Sequence, residues 1–490
     1  MTRTAAIIGG GVIGGGWAAR FLLNGWDVKI FDPDPQAERV LGDVMANARR
    51  SLPGLMDVPL PPEGAVTFCA GIAEAVEEAD WIQESVSERL ELKHKVLAEI
   101  QAACSPEAVI GSSTSGFKPS ELQEGAARGG QILVAHPFNP VYLLPLVEVV
   151  STGADPVVVE KAQGVLTDIG MYPLVLEKEI DAHVADRFLE AVWREALWLV
   201  KDGIATTEQI DNAIRYGFGI RWAQMGLFET YRTAGGEAGM RHFMAQFGPA
   251  LKWPWTKLMD VPEFNDELVE LIAGQSDAQS GHMSIAQLLR ARDDNLVALL
   301  RALKGRDFGA GALLVAQDKA LAKDTLLSAG VDGFADLSQP LLTLRRAVPI
   351  DWADYNGHMT EFRYLEAFSL ATDRFMEIIG CTKDYIAAGA SYFTVETHIR
   401  HVDEVLCGAE IAVKTQMVLG QGKKLHLYHE MYAGETLLAT GEHFLLHVDL
   451  DTRRPSDPAP EIVEAMAKIA AAQAHLGYPE GAGRAIRKPS

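Results

Sequence analysis

Short apolar strands and amphipathic helices alternate through the first third of the chain. Residues 5–8 form an apolar run of strand length, and residues 15–23 carry apolar side chains at helical spacing before Asn24-Gly25 marks a helix end. Residues 26–31 are then predicted to form a second strand. This alternation predicts an α/β domain of the Rossmann type, in which ligands bind beyond the carboxyl ends of the strands.

The pattern changes twice later in the chain. After residue 180 it becomes helical, with an amphipathic stretch over 184–200 and a capping box that begins at Thr206. After residue 340, one long helix precedes segments that alternate with period two, which is typical of an α+β module. We predict a Rossmann domain over 1–182, an all-helical domain over 183–322, a linker over 323–339 and an α+β domain over 340–480.

Composition narrows the class of protein further. A chain of 490 residues is too long for one ordinary core, and a formal charge of −22 argues against nucleic acid as a partner. No apolar run reaches membrane-spanning length, and we expect neither a membrane segment nor a signal peptide. The cysteines lack metal-ligand spacing, so we expect reduced thiols, no metal site and a soluble cytoplasmic protein. They are Cys69, Cys104, Cys381 and Cys407.

A glycine-rich turn after the first strand carries the fingerprint of a dinucleotide site. Gly9 makes the tight turn, Gly11 lets the backbone approach a pyrophosphate, and Gly14 permits close helix packing. Asp32 ends the second strand, where a carboxylate accepts hydrogen bonds from a ribose and repels a 2′-phosphate. A lone glycine motif is a weak signal, but its setting between strands and helix favours NAD as the cofactor. The predicted cofactor-binding turn comprises Gly9, Gly10, Gly11, Val12, Ile13 and Gly14.

His136 and Glu148 lie twelve positions apart, downstream of this fingerprint. Oxidation of a secondary alcohol needs a base that takes the hydroxyl proton as hydride leaves, and histidine suits that task. A carboxylate on the second ring nitrogen fixes the tautomer and stabilises the imidazolium. Ser115 and Asn139 are predicted to hold the substrate oxygen. The alternative is a core histidine and a surface acid, but the neighbouring cofactor site favours catalysis.

These residues resemble the 3-hydroxyacyl-CoA dehydrogenase superfamily over about residues 5 to 310, with matching segments at 84–93, 112–115 and 136–148. The resemblance gives the serine, histidine, asparagine and glutamate the parts described above. It also implies that Glu88 and Lys93 lie near the cofactor. The motif at residues 136–148 is most similar to the branch of lambda-crystallins, L-gulonate dehydrogenases and L-carnitine dehydrogenases. In that branch the helical domain forms homodimers and closes over the substrate.

One departure from the family pattern concerns the substrate. Where the family usually has Asn-Arg at the start of the long helix, this chain has Asp186-Arg187. A carboxylate beside the reacting centre favours a cation, and aromatic faces such as those of Trp253 and Trp255 attract quaternary ammonium groups. These features resemble the carnitine-oxidising members of the branch. The rival hypotheses are an L-gulonate 3-dehydrogenase, a 3-hydroxyacyl-CoA dehydrogenase and a non-enzymatic NAD-binding structural protein.

Asp354, Asn356 and His358 occupy the turn that precedes the long helix of the α+β domain. This segment resembles the hotdog-fold acyl-CoA thioesterases, in which an acid activates water and amides at the helix start bind the oxyanion. The resemblance implies that Asp354 is the catalytic carboxylate and that Asn356 and His358 place water or the thioester. Met359-Thr360 replaces the Asn-Asn common in related sequences, and a binding domain with a decayed site is the alternative. An active domain is expected to hydrolyse an acyl-CoA, here betainyl-CoA, to glycine betaine and CoA.

Overall fold

The computed structural model describes residues 3–483, except 235–236, 238, 248–255, 258–262, 264 and 324. The chain divides into two compact units. Within the described residues, no helix combines the length and the apolar character needed to cross a membrane. The first unit comprises Met1–Ala48 and Pro62–Val315, and the second comprises Arg49–Pro61 and Ala316–Ser490.

Eight strands form one sheet in the first unit. They are β1 Thr4–Ile8, β2 Asp27–Phe31, β3 Val66–Phe68, β4 Trp81–Glu84, β5 Val109–Ser112, β6 Ile132–Pro137, β7 Leu146–Val150 and β8 Tyr172–Leu176. Their order across the sheet is β3-β2-β1-β4-β5-β6-β7-β8. The first six strands pair in parallel, which confirms the predicted Rossmann-type sheet.

The seventh strand runs antiparallel to the sixth. Residues 138–145 connect the two strands, and this connection is shorter than the dozen or so residues that a parallel crossover requires. The chain therefore turns straight back, and the register places His136 directly opposite Glu148. The sequence patterns did not predict this reversal, although the short connection is visible in the sequence.

Helices cover both faces of this sheet. On one face, Ile72 and Val76 of one helix and Val96 and Ile100 of another pack on buried strand residues such as Ile110. The helices are α1 Val12–Leu23, α2 Ala37–Ser51, α3 Ile72–Val76, α4 Leu90–Ala103, α5 Pro119–Gln123 and α6 Pro156–Asp168.

A helical region follows the sheet. Thr206 accepts a hydrogen bond from the amide of Gln209 at 3.2 Å and donates its own amide to the Gln209 side chain at 2.9 Å, which confirms the predicted capping box. Buried Asp293 accepts a hydrogen bond from the hydroxyl of Tyr142 and so ties this region to the loop between β6 and β7. The helices are α7 Ala185–Lys201, α8 Thr207–Ala213, α9 Gly219–Ala234, α10 Gly239–Phe247, α11 Asp266–Ser280, α12 Ile285–Lys304 and α13 Ala310–Ala322.

The second unit is an antiparallel sheet wrapped around one long helix, the arrangement of a hotdog fold. Its strands are β9 Leu341–Ala347, β10 Ala390–His401, β11 Glu410–Gln421, β12 Lys424–Ala433, β13 Thr436–Asp449 and β14 Arg454–Pro455. Its helices are α14 Glu361–Ile378, α15 Lys383–Ala387 and α16 Pro460–Gln473. The order is β10-β13-β12-β11-β9, with β14 paired to β13. A Cβ on Gly441 would lie 2.7 Å from the ring of Phe368, so glycine on β13 allows α14 to pack closely.

A buried polar network crosses the core of this unit. The hydroxyl of Thr372 on α14 lies 3.0 Å from Nε2 of His429 and 2.9 Å from Nδ1 of His443. Thr415 completes the contacts of His429 at 2.8 Å on Nδ1. Both histidines are almost fully buried, and burial lowers their pKa values, to about 4 for His443. The network therefore consists of neutral histidines bridged by threonines.

Candidate active sites

Three glycines shape the turn between β1 and α1. Gly9 has a φ of +100°, a conformation that L side chains rarely adopt. A Cβ on Gly14 would lie 1.8 Å from the carbonyl oxygen of Gly9, so glycine is required for α1 to pack this close. A Cβ on Gly11, by contrast, would meet no atom within 4 Å in the described part of the chain. Packing does not require glycine at position 11, which fits close approach by a bound ligand.

The first turn of α1 is open to an anion. Gly11 is the N-cap residue and has no side chain to cap the helix, and within the described residues no side chain accepts a hydrogen bond from the amides of Val12 or Ile13. Val12 is 57% exposed. A pyrophosphate is the kind of group that such a helix end binds.

Asp32 lies beside this turn at the end of β2. It accepts hydrogen bonds from the amides of Gly10 at 2.5 Å and Asp34 at 2.7 Å, and so fixes the glycine turn against the strand. A cavity of about 480 Å³ adjoins these residues and is lined by Gly9, Gly11 and Asp32, among others. The residues present therefore fit a dinucleotide.

Lys93 is buried between carboxylates. Its Nζ lies 2.9 Å from Oε1 of Glu84 and 3.2 Å from Oε2 of Glu88, and it donates to the carbonyl of Val86. Burial alone would raise the pKa of Glu88, but the hydrogen bond from Thr114 and the charge of Lys93 bring it below its usual value. Lys93 thus holds the loop after β4, and its predicted nearness to the cofactor stays a prediction. Sequence reasoning missed Glu84.

Glu148 is fixed on one side of His136. Its Oε2 lies 3.3 Å from Nδ1 of His136, and its Oε1 accepts hydrogen bonds from the amides of Val184 and Ala185, both at 2.9 Å. Glu148 is fully buried, and burial alone would raise its pKa, but these hydrogen bonds hold it below its usual value. The ionised carboxylate therefore keeps the proton on Nδ1 and leaves Nε2 as the basic nitrogen.

The other nitrogen of His136 faces two polar side chains. Its Nε2 lies 3.2 Å from the hydroxyl oxygen of Ser115 and 3.6 Å from Oδ2 of Asp186. Burial raises the pKa of Asp186; His136 partly offsets that rise and Glu148 adds to it. The structure therefore brings three of the predicted residues, Ser115, Glu148 and Asp186, to the imidazole of His136.

His183 is a neighbour that sequence reasoning missed. Its Nε2 lies 3.1 Å from the carbonyl oxygen of Thr114, and its ring centre lies 5.6 Å from that of His136. Burial lowers its pKa, so it is a neutral neighbour. Ala182 and His183 have φ values of 58° and 51°, a costly conformation that turns the chain into α7 just before the amides bound by Glu148. In the sequence, the feature that could have indicated His183 is its position three residues before Asp186.

The remaining predicted residues of this site are not brought to His136. Asn139 is exposed in the loop after β6, and within the described residues no hydrogen bond joins it to His136 or Ser115. Trp253 and Trp255 lie outside the described residues. Their roles stay predictions.

The second candidate site is a turn before α14. Oδ1 of Asp354 accepts hydrogen bonds from the amides of Asn356 at 2.8 Å and His358 at 3.1 Å. Gly357 closes the turn with a φ of +83°. In the part of the chain that the structure describes, no hydrogen bond uses Oδ2 of Asp354, so this oxygen is available to water. The three predicted residues thus form one local structure.

A cavity of about 530 Å³ opens beside this turn. Nε2 of His358 lies 3.2 Å from Oε1 of Glu404 at its edge. Burial, together with the charges of Glu404 and Asp403, raises the pKa of Tyr364 in its wall. This acidic lining suits a cationic acyl group better than a hydrocarbon chain. The carboxylates that line the cavity are Asp354, Glu361, Asp403 and Glu404, and the histidines are His358 and His401.

Family models match the two parts of the chain that hold the two candidate sites. Residues 4–180 match the NAD binding domain of 3-hydroxyacyl-CoA dehydrogenase, and residues 183–265 match its C-terminal domain. Residues 348–466 match the thioesterase-like superfamily. The protein is therefore an NAD-binding dehydrogenase of the 3-hydroxyacyl-CoA dehydrogenase class joined to a thioesterase-like domain.

Similarity to individual proteins identifies the family within this class. A protein of Ruegeria pomeroyi named L-carnitine dehydrogenase/betainyl-CoA thioesterase is 71% identical over 99% of this chain and 100% of its own length. An L-carnitine dehydrogenase of Mesorhizobium japonicum is 61% identical over 66% of this chain and 90% of its own length. The solved structure of an NAD+-dependent 5-formyl-3-hydroxy-2-methylpyridine 4-carboxylic acid 5-dehydrogenase is 27% identical, covers 62% of this chain and 99% of its own, and has a TM-score of 0.53. The chain belongs to the L-carnitine dehydrogenase/betainyl-CoA thioesterase family.

Proposed function

We propose that this protein oxidises L-carnitine to 3-dehydrocarnitine with NAD, and that its second unit hydrolyses betainyl-CoA to glycine betaine and CoA. The main observation in support of the proposed oxidation is the position of His136. Buried Glu148 contacts its Nδ1, and Ser115 and Asp186 lie beside its Nε2. Full-length relatives named for both activities support the pairing of the two reactions.

His136 is the proposed base of the oxidation. NAD, when bound, would supply the acceptor for the hydride that leaves the carbinol carbon. Nε2 of His136 takes the hydroxyl proton, because Glu148 keeps the proton of the neutral ring on Nδ1. Two amides keep Glu148 ionised, so it stabilises the imidazolium as it forms. Ser115 donates to the substrate oxygen as it becomes a carbonyl, and Asn139 is the proposed second donor.

The proposed cofactor contacts are spread over the start of the first unit. The glycine turn and the first turn of α1 would bind the pyrophosphate through backbone amides, and Asp32 would bind the ribose hydroxyls. Lys93 and Glu88 support the loop after β4. The residues proposed for the turn are Gly9, Gly10, Gly11, Val12, Ile13 and Gly14.

The proposed substrate contacts are electrostatic and aromatic. Asp186 lies next to the reacting centre with a side chain that is 19% exposed, so a carboxylate is present where the trimethylammonium group of carnitine binds. Trp253 and Trp255 are proposed as its aromatic partners. L-gulonate is a polyhydroxy carboxylate without a cationic group, so it gains no attraction from Asp186, which disfavours the rival substrate.

In the second unit, Asp354 is the proposed base. Its free Oδ2 activates water while its other oxygen holds the turn. Thr360, the N-cap residue, makes no side-chain cap, so amides at the start of α14 are proposed to stabilise the oxyanion. Asn356 and His358 place the water or the thioester. The acidic cavity accepts the cationic betainyl group.

Initial rates test both halves of the proposal. NADH formation is measured with L-carnitine, L-gulonate and 3-hydroxybutyryl-CoA at equal concentrations, and carnitine is expected to give the highest kcat/KM by roughly 100-fold. Turnover of gulonate alone, or no NADH from any substrate, contradicts the proposed oxidation. Release of free thiol from betainyl-CoA, with a neutral acyl-CoA for comparison, tests the hydrolysis.

We also propose a cytoplasmic homodimer with functional domains at 1–182, 183–322 and 340–480. Phe188 and Leu189 on α7 are more than half exposed, and β10 has an open edge beside exposed Val395. Exposed apolar helix faces and open strand edges favour pairing with a second chain. Free cysteines fit a reducing compartment. Sedimentation equilibrium measures the oligomeric state.

A further inference from the structure

Asp186 and the substrate hydroxyl need the same nitrogen of His136. Oδ2 of Asp186 lies 3.6 Å from Nε2, on the side that Ser115 also contacts, whereas Glu148 already occupies Nδ1. A hydroxyl that gives its proton to Nε2 must reach within hydrogen-bond distance of that atom. The carboxylate of Asp186 therefore competes with the substrate for the catalytic base.

The charges around this imidazole are unbalanced. Glu148 and Asp186 face one ring, so even a protonated His136 neutralises only one of the two carboxylates. Among the described residues, His136 is the basic group that lies within 4 Å of Asp186, and the two form an ion pair only when the ring is protonated. Burial penalises the ionised form of Asp186 and raises its pKa. A substrate cation therefore gives Asp186 a partner that keeps its charge, whereas the imidazole is a partner only while it is protonated.

We propose that Asp186 couples recognition of the substrate's ammonium group to release of the catalytic base. In the absence of a cation, the two carboxylates favour the imidazolium form of His136, whose Nε2–H faces Asp186, so Nε2 has no lone pair to accept a hydroxyl proton. A bound ammonium group becomes the partner of Asp186, the imidazolium releases its Nε2 proton to water, and Nε2 then accepts the hydroxyl proton. This inference rests on the proposed oxidation of a cationic alcohol, and it adds that the cation raises kcat as well as affinity.

This coupling can be tested by supplying the hydroxy-acid part and the ammonium part of carnitine as two separate molecules. 3-Hydroxybutyrate carries the alcohol and the carboxylate without the ammonium group, and tetramethylammonium supplies the cation separately. At saturating 3-hydroxybutyrate and NAD, tetramethylammonium is expected to raise kcat about tenfold or more, as expected for one charge contact near a protein surface. tert-Butanol, which is similar in size and uncharged, should not raise kcat. Sodium chloride at matched ionic strength controls for screening.

Two variants complete the test. Asp186→Asn keeps the shape of the side chain but removes its charge, so its kcat for 3-hydroxybutyrate should already be high and independent of tetramethylammonium. Its KM for carnitine should rise. Glu160→Gln removes an exposed carboxylate on α6 instead, and this variant should respond to tetramethylammonium like the parent protein. A purely binding role for Asp186 predicts no change of kcat, because the two molecules are not linked.

The possible outcomes separate this inference from the proposed function. If tetramethylammonium leaves the parent kcat unchanged, or if Asp186→Asn stays as slow as the parent on 3-hydroxybutyrate, the coupling is wrong even when carnitine is oxidised. If the parent protein does not oxidise carnitine, the proposed function is wrong, and the coupling is then overturned with it.

Discussion

The two candidate sites are built in opposite ways. In the first unit, His136, Glu148 and Asp186 come from three elements and meet only when β6 pairs with β7 and α7 docks beside them. In the second unit, the whole set from Asp354 to His358 lies in one turn. The first site therefore depends on tertiary structure over a long stretch of chain, whereas the second depends on local backbone hydrogen bonds.

The two candidate sites also differ in how deeply their residues are buried. Glu148 is fully buried, but the turn at Asp354 opens on a cavity and its neighbour Tyr355 is 96% exposed. Charge interactions weaken as water gains access. Loss of one charge should therefore cost more in the first site than in the second.

Among the substitutions that leave His136 in place, Glu148→Gln is expected to have the largest effect. The amide oxygen of the glutamine can still accept hydrogen bonds from the amides of Val184 and Ala185, so its NH2 group faces Nδ1 of His136 and favours the wrong tautomer. We expect kcat for carnitine oxidation to fall about 10³-fold with little change in KM. Stopped-flow NADH formation measures it. Exposed Glu177→Gln is the control, and a loss of less than threefold for Glu148→Gln would show that the carboxylate is not needed.

Acid should weaken the core of the second unit. The pKa of His443 is lowered from the ordinary 6.5 to about 4 because burial disfavours its charged form. Below pH 6.5 the unfolded chain binds a proton that the folded chain does not, so stability falls between about pH 6.5 and 4, by at most roughly 3 kcal/mol from this residue. His429 acts in the same direction.

Urea unfolding between pH 8 and 4.5, with hydrogen-exchange pulse labelling of β12 and β13, measures this effect. His443→Asn keeps a polar group near Nδ1 but does not titrate, so the fall in stability should be smaller in the variant. The difference between the two proteins at pH 8 corrects for the lost packing. Parallel pH profiles for parent and variant would contradict the prediction.

Asp354→Asn should abolish most hydrolysis without disturbing the turn. The asparagine oxygen still accepts the hydrogen bonds from Asn356 and His358, but it is not a base. We expect the rate of thiol release to fall about 10²-fold and the melting temperature to stay constant. Carnitine oxidation in the same sample is the control. Unchanged hydrolysis would favour a base elsewhere in the cavity.

The smallest expected effect is that of Gly11→Ala on NAD. The new methyl group meets no described protein atom, so the fold should remain as stable as before, but it enters the space proposed for the pyrophosphate. We expect KM for NAD to rise about tenfold at constant kcat. Gly9→Ala is the contrasting variant, because its Cβ would lie 2.6 Å from a carbonyl oxygen and should destabilise the fold. Equal KM values for NAD in Gly11→Ala and the parent would show that the pyrophosphate does not bind at this position.

The local features of the fold could be predicted from the sequence because each depends on neighbouring residues. The glycine turn, the Thr206 capping box and the Asp354 turn follow from short motifs with defined backbone geometry. The alternating strands of the second unit follow from period-two burial. The same alternation places His429 and His443 on inward positions, but it does not indicate that a threonine bridges them.

Features that depend on distant contacts could not be predicted in this way. The burial of Lys93 against Glu84 requires α4 to pack beside β4, and the contact of His183 with Thr114 requires α7 to dock at the sheet. The pairing of His136 with Glu148 was expected from chemistry, but the antiparallel register that produces it was not. Only the length of the connection between the strands carried that information.

In the proposed oxidation, His136 removes the hydroxyl proton of the alcohol while the carboxylate of Glu148 holds its ring. The most direct measurement is kcat of His136→Gln with NAD and L-carnitine, with betainyl-CoA hydrolysis by the same sample as the internal reference. We predict that oxidation falls 10²- to about 10⁴-fold while hydrolysis is unchanged. Oxidation at the parent rate by this variant would contradict the account.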